Sequence, residues 1–242
     1  MTSRHRSAAG FGGTPDASGP AADARAIDKA RRALAASPDE PRSLFTLAAL
    51  LLRAGDPGAG ALLPRLERHP GYAGGWLAVA DALLARGQQG AALAAAARAL
   101  RAEPGSGAGY HLLGRILRAG NRDRDALDAF ERAVACDPAQ AGFCYSLALL
   151  RQDLGDASGA AEAYRAALAA RADFHEAALN LGVSLGDCGR LDEAMDAYAL
   201  ALRLRPDSFG RIAQALVSGR SGLLFLQPGR LRAVLAGRGS AV

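Results

Sequence analysis

The chain has 242 residues, a formal net charge of +5 and a sequence pI of about 9.5; half of it is hydrophobic but only 5% is aromatic. Roughly a quarter is alanine, which argues against a β-sandwich or barrel built from Val, Ile, Thr and aromatics and favours helices in close contact. A basic balance raises nucleic acid, membrane surfaces and acidic proteins as partners, so the position of the charge matters more than its size.

Residues 1–21 are rich in Gly, Ser, Pro and Ala and read as a disordered lead-in. Two early arginines are followed by no apolar stretch, so no secretory signal is expected there, and a cytoplasmic location is. The longest near-uninterrupted apolar run, Leu44 to Leu52, ends at Arg53 and is far short of the about 20 residues a spanning helix needs. Residues 22–38 look like a lone second helix of a hairpin, with Ala26, Ala30, Ala33 and Pro38 at matching spacing. Residues 41–70 look like a shortened hairpin: Leu44, Leu47, Ala48, Leu51 and Gly55 fit a first helix, and Pro64 interrupts the second. Residues 22–72 are therefore read as degenerate repeats.

From Ala73 the chain can be written in rows of 34, namely 73–106, 107–140, 141–174 and 175–208. Position eight is then Ala80, Gly114, Ala148 and Gly182. Position twenty is Ala92, Ala126, Ala160 and Ala194, and position twenty-seven is Ala99, Ala133, Ala167 and Ala201. Chance agreement of these columns is on the order of one in 100,000 for one frame. Position fifteen is Gly87, Asn121, Gly155 and Gly189, residues suited to a left-handed helix end. Position twenty-four is Ala96, Phe130, Tyr164 and Tyr198, and position thirty-two is Pro104, Pro138, Ala172 and Pro206. Each row reads as two helices that approach closely at the small columns and are filled by apolar residues at positions 4, 7, 11 and 24. One hairpin cannot bury its apolar face alone, and stacked hairpins can.

These rows resemble the tetratricopeptide repeat family. The resemblance is carried by Trp76 at position four, by Tyr110-x-x-Leu113-Gly114 and by Ala126-x-x-x-Phe130-x-x-Ala133. It implies an all-α, right-handed superhelical solenoid of antiparallel helix pairs with a C-terminal capping element. Ala96 in place of an aromatic, Arg151 in a usually apolar column and Ala172 in place of proline depart from the pattern. Arg151 marks the third row as the loosest, or as one whose side chain snorkels outward.

Residues 209–242 leave the repeat. Phe209 to Val217 reads as a helix packed through Phe209, Ile212 and Leu216, and Gly222 to Leu226 reads as extended. Pro228 to Ala236 reads as an amphipathic helix with Leu231, Val234 and Leu235 on one face. This segment is a cap or a docking element. It holds Arg211, Arg220, Arg230, Arg232 and Arg238 and no acid, whereas residues 73–208 carry more acids than bases. The high pI therefore belongs to the tail. Lys29 is the only lysine, and the Arg, Ala and Gly excess reads as codon bias rather than as selection for phosphate binding.

No nucleotide-binding, nucleophile-elbow or metalloprotease motif occurs, and Asp123, Asp125, Asp128 and Glu131 alternate with Arg122, Arg124 and Arg132 as a solvated face. No enzymatic activity is expected. Cys136, Cys144 and Cys188 lack metal-ligand spacing, so neither a metal nor a cofactor is expected, and the thiols read as buried structural groups. The resemblance implies a peptide or protein partner on the concave face of the first helices. The candidate contacts are His111, Arg115, Arg118, Tyr145, Gln152 and Asn180. His111, Arg115 and Arg118 share one helical face, and Arg is a fork donor to carboxylates. The arginines either meet an acidic or aromatic peptide or are paired with Asp81 and Asp153. The lysines of a carboxylate clamp are missing, and Ala78, Leu112 and Ser146 break an asparagine column that survives only at Asn180. The expected function is a binding scaffold; the alternative is an accessory, substrate-presenting subunit of a separate glycosyl- or sulfo-transferase. Nucleic acid is disfavoured because first-helix faces mix charge signs, and self-association stays open.

Overall fold

The computed structural model describes residues 20–218 and 228–238, with the side chains of most of them. The expectations for residues 1–19 and for Gly222 to Leu226 lie outside the described residues. The described chain holds thirteen α-helices and no strand. They are α1 (Pro20–Ala36), α2 (Pro41–Ala54), α3 (Ala59–Leu66), α4 (Ala73–Ala85), α5 (Gln89–Ala102), α6 (Gly107–Ala119) and α7 (Asp123–Cys136). There follow α8 (Ala141–Asp153), α9 (Ala157–Ala170), α10 (His175–Asp187), α11 (Leu191–Leu204), α12 (Phe209–Ser218) and α13 (Pro228–Arg238). The fold is an all-α solenoid. Helices pair within each row, and each pair packs on the next.

Left-handed residues end the first helices. Gly55, Gly87, Gly155 and Gly189 have φ of 71–84°, and Asn121 has φ 57°. Asparagine tolerates this conformation at little cost, which keeps the column in phase without glycine. The second helices α5, α7, α9 and α11 each run 14 residues and stop two residues short of position thirty-two. By contrast α3 has only 8 residues and contains Pro64.

Every small residue at positions 8, 20 and 27 is buried. At position eight the reason is direct. A Cβ on Gly114 would lie 2.6 Å from the Phe130 ring, and one on Gly182 would lie 2.5 Å from the Tyr198 ring. The ring of position twenty-four thus occupies the space that a side chain at position eight would need. Phe130, Tyr164 and Tyr198 are all fully buried. The core comprises two buried clusters that meet along α6, one from Ile27 to Ile116 and the other from Leu117 to Leu235.

Arg151 is half-buried and extends outward to Glu131 (2.9 Å) and to the Gly159 carbonyl (3.2 Å). Its column therefore ends in a polar anchor between α7, α8 and α9. At the C-terminal end, α12 begins at residue 209, 34 residues after α10, and buries Ile212 and Leu216. Leu231 and Leu235 of α13 are also buried, and Val234, at the edge of the same stripe, is 40% exposed. Leu231 and Leu235 are one helical turn apart, and Val234 projects a quarter-turn away. Arg238, at the C-terminus of α13, bonds Asp192 (2.9 Å) and Asp196 (3.0 Å) at the start of α11. This placement makes α13 antiparallel to α11. Arg232 lies over the Phe209 ring at 4.4 Å. These two arginines of the basic tail are thus engaged within the fold.

Gly182→Ala should destabilise the protein by about 1–3 kcal/mol through overpacking against Tyr198. Gly142→Ala on α8, where a Cβ meets nothing within 4 Å, should be neutral or stabilise by about 0.5 kcal/mol. Urea denaturation of the two variants checks the contrast.

Candidate functional site

The first helices α4, α6, α8 and α10 start 34 residues apart, so one row position recurs on successive helices. Position nine supplies Asp81 on α4 and Arg115 on α6, which pair at 2.9 Å. Asp81 also meets Arg53 of α2 at 3.3 Å. One carboxylate is thereby shared by two guanidinium groups. Arg118, at position twelve of α6, pairs with Asp153 at position thirteen of α8. Both candidate arginines therefore hold an acid of an adjacent repeat, which is the second of the two sequence alternatives. All these pairs keep solvent access.

His111 sits one turn before Arg115. Its ring is stacked on Phe143 with centroids 4.9 Å apart, and Nε2 lies 2.8 Å from the Ser146 hydroxyl. Burial, aided by the Arg115 charge, pushes the imidazole pKa down to about 4. Tyr145 occupies the column of His111 one repeat later. Asn180 Nδ2 donates to its hydroxyl at 3.2 Å, and its ring packs on Phe174 (4.7 Å) and Tyr164 (5.7 Å). Burial first, and then the Glu176 charge, push the Tyr145 hydroxyl pKa up. Gln152 accepts from the hydroxyl of buried Tyr164 at 2.8 Å.

The six candidates thus lie along three neighbouring first helices and form a row of linked groups, not one compact pocket. A rule emerges that the sequence reading missed. Position five of one row bonds position six of the next, as His111–Ser146 and then Tyr145–Asn180. The 35-residue separation was legible in the rows, and Ser146 was read only as a break in an asparagine column. Phe143 and Arg53 were also missed. Phe143 lies at position three, which carries no strong family preference, and Arg53 belongs to the degenerate unit.

Among the described residues, no group of three or more His, Cys, Asp or Glu could hold a metal. The expectation of buried thiols holds for Cys144 alone, because Cys136 and Cys188 are exposed at or just beyond helix C-termini. No described helix is long and apolar enough to cross a membrane.

His175, at the N-terminus of α10, is 4% exposed, and neither ring nitrogen has a hydrogen-bond partner. Burial and the nearby Arg205 charge lower its pKa. Both His111 and His175 are therefore harder to protonate in the folded protein than in the unfolded chain. Below about pH 6.5 the unfolded chain takes up protons that the folded chain does not, so stability falls as pH drops toward 4. His111→Gln should lose about 2 kcal/mol less than wild type between pH 7 and pH 5, measured by urea denaturation. An equal acid loss in both proteins would remove this role.

Two family models described as the tetratricopeptide repeat match the chain, one over residues 73–116 and one over residues 145–209. No curated protein matches it. The solved structures similar to it include MamA, at 20% identity, 78% of this chain, 91% of that chain and a TM-score of 0.52. A second is YrrB, described as a TPR protein with an unusual peptide-binding site, at 19% identity, 75% and 95% coverage and a TM-score of 0.57. A third is BtubC from P. vanneervenii, at 20% identity, 78% and 91% coverage and a TM-score of 0.61. At these identities the likeness is one of fold. With its 34-residue columns, its stacked helix pairs and the two family matches, the chain carries tetratricopeptide repeats over residues 73–116 and 145–209.

Proposed function

We propose that the chain is a non-enzymatic interaction scaffold that holds an acidic segment of a protein or peptide partner along the concave face of its first helices. The observation that supports this reading most is the sharing of Asp81 by Arg53 and Arg115. One carboxylate between two guanidinium groups leaves an excess positive charge on a solvent-accessible face. Exposed ion pairs contribute only about 0–1 kcal/mol each, so a ligand carboxylate exchanges with Asp81 or Asp153 at little cost. Bidentate contact from Arg115 and Arg118 then gives the ligand its register. Tyr145, Asn180 and Gln152 extend the face toward α10 with polar groups already oriented by neighbours. The description of YrrB as peptide-binding agrees with this use of the fold.

In this reading residues 73–208 form the binding body, residues 22–72 lead into it, and α12 with α13 caps it. The pairing of Arg238 with Asp192 and Asp196 supports a cap over a docking site.

Selection of displayed random peptides on the immobilised protein should enrich acidic sequences. The double variant Arg115→Ala, Arg118→Ala should weaken the selected peptides tenfold or more while its far-UV circular dichroism stays unchanged. Peptides that bind both proteins equally well would rule out this face.

Deletion of residues 228–242 should cost about 3 kcal/mol or more, through lost burial of Leu231 and Leu235. The affinity of the remaining folded protein for the same peptides should stay the same. Loss of peptide binding at full helicity would make α13 a docking element instead.

A further inference from the structure

An opening lies beside the shortened helix α3. Second helices elsewhere have 14 residues and α3 has 8, a shortfall of about 9 Å of helix. Beside the missing turns, the loop after α3 and the last turn of α5 border an open cavity of about 530 Å³. It is lined by Glu67, Pro70 and Gly71 from the loop, by Trp76 of α4, and by Arg98, Arg101 and Ala102 at the end of α5. The volume falls within the range of small-ligand sites.

The chemistry of the lining is specific. Trp76 is held from behind: its indole N–H donates to the His69 carbonyl at 3.2 Å, and its ring packs edge-on against Phe45 at 5.1 Å. The Arg98 guanidinium lies over the indole at 4.6 Å and bonds Glu67 at 3.0 Å. Arg101, one turn further along α5, is exposed and has no ion-pair partner among the described residues. Two guanidinium groups and one carboxylate give the cavity a net positive charge. Pro70, Ala102 and Trp76 supply an apolar wall, and Gly71 leaves the rim open.

The corresponding columns of the next row hold Arg132 and Tyr110, with the guanidinium 5.7 Å from the ring. There the preceding second helix, α5, has its full length. The arginine-over-aromatic contact is thus shared by two rows, whereas the truncated helix beside it belongs to the first alone.

We propose that this cavity is a second binding site, separate from the first-helix face, for an apolar group bearing a carboxylate, as presented by the C-terminal residue of a peptide. The carboxylate pairs with Arg101 and the free edge of Arg98. The apolar side chain lies against Pro70, Ala102 and the indole. Glu67 keeps Arg98 stacked over Trp76 and disfavours ligands with further negative charge.

Trp76 is the only tryptophan in the chain, so its fluorescence reports on this cavity without labelling. The full chain is titrated with an acetylated tripeptide ending in leucine with a free carboxylate, with the same peptide amidated, and with N-acetyl-leucine. A saturable change in emission with the free acid, at least tenfold weaker with the amide, is the expected result. Arg101→Gln should leave the emission of the free protein unchanged and weaken the free acid about tenfold. N-acetyl-leucine matching the tripeptide would assign the site to a small carboxylic acid, and a tighter tripeptide would assign it to a peptide terminus. No saturable change, equal response to acid and amide, or an unaltered affinity in Arg101→Gln overturns the proposal. Because Arg115 and Arg118 lie outside this cavity, the double variant at those positions should bind the free acid as wild type does. The two sites can therefore fail independently.

Discussion

Two backbones can run side by side in this protein because position eight of each first helix is only Ala or Gly, and in the second and fourth rows it gives up its side chain altogether to a ring of the second helix. The constraint is steric and local. At Gly114 and Gly182 a single added carbon would enter the ring of Phe130 or Tyr198. Once that contact is made, the alanines at positions twenty and twenty-seven are sealed, and the apolar residues around them close the hairpin. In the first row position twenty-four is Ala96 and carries no ring, and the large aromatic is Trp76 at position four, which packs on Phe45 of the unit before. Protein interiors tolerate such an exchange of large and small partners as long as the total volume is kept.

Burial holds each hairpin together and joins it to the next, and ion pairs add polar contacts across the same boundaries. Arg53, Asp81 and Arg115 link three successive first helices, Arg118 and Asp153 link two, and Arg165 reaches Glu193 across second helices. Each exposed pair is weak on its own. Each nevertheless bridges two neighbouring units, so together they favour one register of stacking over a slipped one. Arginine suits this task because its flat fork can meet a carboxylate on the next helix while its stem covers the alanine surface beneath. The positive excess of the sequence lies instead after residue 208, where Arg232 covers Phe209 and Arg238 meets Asp192 and Asp196.

Most of the fold was legible in the sequence because its rules are periodic. Small columns, left-handed residues and prolines recur at fixed offsets, and each has a single physical reading. What could not be read depended on contacts between rows. Ser146 is informative only once His111 is seen 2.8 Å away, and the same residue looks like a defect when its own column is read. The exposure of Cys136 and Cys188 was misread for a related reason. Residue type gives an average tendency to be buried, whereas position on the helix decides the case. The arginines of the candidate site were found, but their acids lie 34 and 35 residues away, and the choice between paired and free groups needed coordinates.

The reversal of α13 has a further consequence. In a linear array each unit is stabilised by its neighbours, and units with one neighbour open first. At the C-terminal end, α12 occupies the start of a would-be fifth row, and α13 packs on α11, with Arg238 at the start of that helix. At the opposite end, α1 rests on α2 without a first helix before it among the described residues, and α3 is cut short. The molecule is therefore polar in a mechanical sense. The two ends thus differ in their cover: α11 is backed by α13, whereas α2 is paired with a second helix of only 8 residues.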